Sequence, residues 1–211
     1  MTTAYRLLLP DGWYRYPIDS DPTGSAGRFL DRHFDLRAGD DRDAVMARRR
    51  ARSDTARAFD TMASSGAVDL YFFDGAFGGV TMSMLFTVGV VYLGPGSAEI
   101  DLAQLAPALG DEAVVVGLPV GSALRSRQDA AVDTGAALPD TIPTDVAAVF
   151  LAHTADETTT LRTRVEYLIP VPGDPGSFAL VSFRSLGAPF ADERVEHFDI
   201  LITGFSWNEA R

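Results

Sequence analysis

The chain has 211 residues, a formal net charge of -11, and neither cysteine nor lysine. Its length suits one domain that buries a core without disulfides or metal, and the missing residues exclude thiolate zinc sites, cysteine nucleophiles, Schiff-base lysines and P-loops. The acidic balance opposes general affinity for nucleic acid or anionic lipid, since both need basic patches to displace counterions.

In chain order, residues 5–9 read as a short apolar strand. Pro10-Asp11-Gly12 is a turn, and residues 13–18 read as a second strand with Trp13, Tyr14 and Tyr16 at pleated positions. Asp21-Pro22 has the form of a helix N-cap followed by proline at the first helical position. Phe29, Leu30, His33, Phe34 and Leu36 then recur at roughly helical spacing. A longer helix is expected over residues 41–64. Its stripe is Ala44, Ala47, Ala51, Thr55, Ala58 and Met62, with Phe59 beside it, and such small residues allow close approach to a sheet. Arg48, Arg49, Arg50, Arg52 and Arg57 decorate the rest of this helix. Asp43, Asp54 and Asp60 partly neutralise them.

Residues 68–73 read as a strand, and residues 74–79 as a Gly-rich hairpin connection with Phe77 at its tip. Residues 80–93 form a long apolar run, expected to be a central strand covered on both faces. Residues 101–109 read as a helix with Leu102, Leu105 and Leu109 on one side. Strands follow over residues 113–118 and 122–132, with Arg125 and Arg127 on one face of the second. Between residues 67 and 161 these are the only basic residues, so most of the net negative charge sits there. Residues 133–145 read as a loop. Residues 146–153 fit strand or helix and are taken as strand, and residues 155–160 as a polar tip.

The last fifty residues have the clearest pattern. Over 162–171, Val165, Tyr167, Ile169 and Val171 alternate with Arg164, Glu166 and Leu168. Residues 173–176 form a turn. Over 178–185, Phe178, Leu180 and Ser182 alternate with Ala179, Val181 and Phe183. Residues 189–205 read as an amphipathic helix with Val195, Phe198, Leu201, Ile202 and Phe205 on one side. The hairpin beside it is the nearest surface to bury that side. No linker composition interrupts the chain, so one domain over residues 1–211 is expected, with a helical insert at about 19–66.

Several motifs resemble a known arrangement. They are Leu9-Pro10-Asp11-Gly12-Trp13, the run from Gly117 to Arg127, Val165-Glu166-Tyr167-Leu168-Ile169-Pro170-Val171-Pro172-Gly173, and the closing run from Phe198 to Trp207. Together they look like the PsbP/Mog-type fold of the extrinsic photosystem II protein and of a Ran-binding nuclear import factor, with a closer likeness to uncharacterised proteins of high-GC bacteria. The resemblance implies an α+β fold: a mainly antiparallel sheet of six to seven strands sandwiched between helices. It also implies a role in contacting other proteins, and it supplies no catalytic residues.

The sequence carries few chemical motifs. His33, His153 and His197 are far apart in sequence. Glu193 and His197 stand at i, i+4 and could share a metal, although an exposed ion pair explains the spacing. Residues 19–24 faintly suggest a calcium loop, but position 12 would be Leu30 instead of a bidentate acid. Gly75, Gly78 and Gly79 lie between strands, whereas phosphate loops open a helix. No nucleophile-elbow motif occurs.

The expectation is therefore a non-enzymatic cytoplasmic adaptor or accessory protein without metal or cofactor. Its partner would be another protein, with no nucleic acid and no membrane, and a homodimer is possible. Arg49, Arg50, Arg57 and Phe77 are the candidate contact residues. Two alternatives stay open. One is a small-ligand-binding domain or weakly marked hydrolase, which would require a pocket with convergent polar groups. The other is a homo-oligomeric structural component.

Overall fold

The structure, a computed structural model, describes residues 4–33, 42–77, 80–94, 101–110, 112–133, 159–174, 176–186 and 190–208. Among these, β1 is Tyr5–Leu7, β2 Trp13–Pro17, α1 Pro22–His33, α2 Arg42–Ser64, β3 Ala67–Phe77 and β4 Val80–Tyr92. Then come α3 Leu102–Leu109, β5 Val114–Leu118, β6 Gly121–Asp133, β7 Thr159–Pro170, β8 Ser177–Leu186, α4 Ala191–Ile202 and β9 Phe205–Trp207. Seven strands make one antiparallel sheet in the order β2-β3-β4-β8-β7-β6-β5, and β1 pairs with β9 in a separate ribbon. The fold is thus α+β, a mainly antiparallel sheet between helical layers.

Alternation along the strands decides which side chain enters which layer. Tyr71, Met84, Phe86, Val88, Val165, Tyr167, Ile169, Val181 and Phe183 fill one face, which α4 covers with Val195, Phe198, Leu201 and Ile202. Phe183 stacks on Phe198 at a centroid separation of 4.7 Å. The helix is fastened to the same face by polar contacts as well. Arg125 donates to both carboxylate oxygens of Asp199 at 2.9 and 3.0 Å, and the Tyr167 hydroxyl donates to the same carboxylate. Burial first, and then that carboxylate, push the Tyr167 phenol above its ordinary range.

The opposite face has two separate covers. At one end α1 and α2 pack Phe29 and Phe59 on Tyr16, Leu70 and Phe72. At the other, α3 sets Leu102, Leu105 and Leu109 on Leu124, Leu168 and Phe178. Asp101 caps α3 by accepting from the Ala103 amide at 3.1 Å. Of the expected α2 stripe, Ala51, Thr55, Ala58 and Phe59 are buried and Met62 is half-buried.

Three expectations need correction. Residues 74–77 are strand, because pairing with β4 continues as far as Phe77 opposite Val80. β4 is not covered evenly on both sides: on one face Met84, Phe86 and Val88 are buried and Val90 is exposed, and on the other Leu85, Thr87, Gly89 and Val91 are half-buried. The last helix stops at Ile202, and Phe205 reaches the core from β9. Gly204 lies so close to β1 that a Cβ there would stand 2.7 Å from the Leu8 carbonyl oxygen. The loop expected over 133–145 lies outside the described residues except for Asp133, which ends β6. The strand expected over 146–153, His153, Phe34 and Leu36 lie wholly outside them.

Candidate functional site

Register sorts the half-covered face into rows. Leu124, Leu168, Leu180 and Gly89 follow one another across β6, β7, β8 and β4. The next row is Ser126, Glu166, Ser182 and Thr87, continuing to Leu70 on β3. The third is Gln128, Arg164, Arg184 and Leu85, continuing to Phe72. Apolar, polar and basic rows thus lie side by side, in the region that α2 roofs.

A cavity of about 320 Å³ occupies this region. Phe59 and Met62 of α2 form its roof, and Leu85, Val91 and Leu180 form much of its apolar floor. Thr87, Ser182, Arg164, Glu166 and Arg184 make its polar side. This volume lies in the range of small-molecule sites, which combine apolar walls with a few placed polar groups.

The polar side has more donors than acceptors. Glu166 is buried and accepts from Nη2 of Arg164, leaving the buried Arg164 Nε without a hydrogen bond. The hydroxyls of Ser182 and Thr55, both lining the cavity, are buried without a partner as well. Arg184 makes no hydrogen bond or ion pair with any described residue. Burial, and next the neighbouring Arg164, hold its pKa below the ordinary arginine value, against the pull of Glu166.

His33 sits in a second constellation. Its side chain is only 3% exposed, and its Nδ1 lies 2.8 Å from Asp74 Oδ2 and its Nε2 2.7 Å from the Tyr16 hydroxyl. A neutral ring that donates from Nδ1 and accepts at Nε2 satisfies both contacts. Burial lowers the His33 pKa against the opposing pull of Asp74. Burial also pushes Tyr16 up to about 12, so its hydroxyl stays protonated. With Phe29 and Phe72 packed on the imidazole, this line of groups ties α1 to β2 and β3.

The expected contact residues do not meet at one place. Arg49, Arg50 and Arg57 lie exposed on α2, and Phe77 ends β3. Arg50 and Arg57 each approach Asp54 at 3.7 Å. His197 is half-buried, not exposed as expected for an ion pair with Glu193, and burial lowers its pKa. Asp21 spends its carboxylate on the Gly24 amide and Arg28, as a helix cap does. Among the described residues no three His, Asp or Glu side chains gather as a metal site, and no helix is long and apolar enough to cross a membrane.

Sequence reasoning missed Arg184, Ser182 and the pairing of Arg164 with Arg184. The alternation of Arg164 and Glu166 and the hairpin with residues 178–185 were visible, but the register that sets Arg184 opposite Arg164 was not. Comparison with protein-family models, with curated proteins and with solved structures finds no match. The likeness to the PsbP/Mog-type fold thus rests on the turn and core motifs of the sequence.

Proposed function

We propose that this protein binds a small, mainly apolar molecule between α2 and the sheet. One observation carries the reading: a cavity of about 320 Å³ with apolar walls and one polar side, between α2 and the sheet. Sites of this volume and lining are typical of ligand pockets. Calorimetric titration with decanol tests it. Saturable binding at one molecule per chain is expected, and Leu180→Trp, which fills the cavity, should abolish it. Absence of saturable binding, or full binding by the filled variant, would remove the cavity from the account.

A second reading, contact with another protein through α2, is favoured by the charge on its outer face. Arg50 and Arg57 share the single carboxylate of Asp54, so this face keeps surplus positive charge on a chain of net charge -11. Reversal of Arg49, Arg50 and Arg57 to Glu should abolish capture of an acidic partner without affecting folding. Retained capture would discard this surface.

A further inference from the structure

Directly opposed like charges destabilise a sheet, and buried donors without acceptors cost free energy. The cavity contains both. Arg164 and Arg184 face each other across β7 and β8, on the side that lines the cavity. Glu166 pairs with Arg164, so among the described residues Arg184 is the cavity's one charge without a hydrogen bond or ion pair, with Arg162 two residues before Arg164 adding to the repulsion. Ser182, 2% exposed, adds a hydroxyl with no partner. Among the described residues none pairs with Arg184 or the Ser182 hydroxyl, whereas an anionic acceptor would satisfy both.

We propose that the ligand is an amphipathic acid, an apolar chain ending in a carboxylate, with the carboxylate held by Arg184 and the Ser182 hydroxyl and the chain lying on Leu180, Val91 and Met62. The inference rests on the cavity being a binding site. A planar guanidinium matches a carboxylate in two parallel hydrogen bonds. One uncompensated arginine also matches a single negative charge. Burial of the head group, at the cost of desolvation, makes its pairing with Arg184 worth more than a surface contact.

The test compares decanoate with decanol by calorimetric titration at pH 8, where the acid is ionised. Both have the same apolar chain and differ in head group. Decanoate is expected to bind at least about tenfold more tightly, as a hydrogen-bonded charge pair implies. Arg184→Met should reduce that preference to near unity, and Arg184→Lys should retain a measurable part of it. Because Arg184 faces Arg164, the Met variant should unfold no more easily than the parent, and urea denaturation checks this. Equal affinities for decanoate and decanol, or a preference that survives in Arg184→Met, would overturn the inference and leave the cavity reading standing. Failure of both ligands to bind would overturn the cavity reading and the inference with it.

Discussion

Arg15 and Asp69 meet through two hydrogen bonds of 2.8 and 2.9 Å, yet the arginine side chain is 57% exposed and the carboxylate wholly buried. The Tyr5 hydroxyl also donates to Asp69 and lies 3.1 Å from the Tyr71 hydroxyl, so the β1–β9 ribbon is tied to the sheet through one buried anion. Truncating the exposed partner strands that anion. Arg15→Ala is expected to cost about 3 kcal/mol, because an unpaired buried charge remains. Asp69→Asn, which removes the charge, should cost less. Urea denaturation of the two variants decides; the reverse ranking would contradict this account.

Acid should destabilise the protein through His33. Its folded pKa lies below its ordinary value, so the unfolded chain takes up a proton at higher pH than the folded one. Stability from the neutral ring is full above about pH 6.5 and declines as pH falls, by up to about 1.4 kcal/mol per pH unit, until the folded pKa is reached. His197 acts in the same direction. His33→Gln should flatten the dependence of the urea midpoint between pH 7 and 5. An unaltered slope would assign it to other groups.

Gly204 permits the close approach of β1. The Leu8 amide donates to the Gly204 carbonyl at 3.1 Å, and a Cβ on Gly204 would meet backbone that has no room to yield. Gly204→Ala should destabilise by about 1–3 kcal/mol. Hydrogen exchange should quicken in β1 and β9 more than in β7 and β8; uniform acceleration would argue against a local origin.

Thr55 is 1% exposed, and its hydroxyl has no partner. Thr55→Val keeps the shape and removes the orphaned group, so a gain of about 1 kcal/mol is expected in thermal or urea unfolding. A loss would show that the hydroxyl is hydrogen-bonded in solution.

The alternation of Val165, Tyr167 and Ile169 with Arg164 and Glu166 was legible because a strand's two faces are written every second residue. Likewise Asp21-Pro22 marked the start of α1, and the α2 stripe marked its packing side. Phe205 was misread because its spacing from Phe198 is helical by coincidence. Thr203-Gly204 was the available stop signal, since glycine commonly follows the last helical turn. The Tyr16–His33–Asp74 line was not legible: its members are 17 and 41 residues apart, joined only by packing of α1 on the sheet. The cavity escaped for a similar reason. A space between a helix and a sheet is a property of how the two pack, and no local pattern records it.

The layer sealed by α4 and β9 also sets an order on the protein's birth. Tyr167, Val181 and Phe183 leave the ribosome before the segment that hides them, which begins after residue 190. Until Phe198, Ile202 and Phe205 follow, a nascent chain displays one face of its widest apolar surface to solvent. Such a face is where nascent polypeptides aggregate or are held by chaperones. Translation pauses within this last stretch would prolong that exposure, and faster passage through it would shorten it.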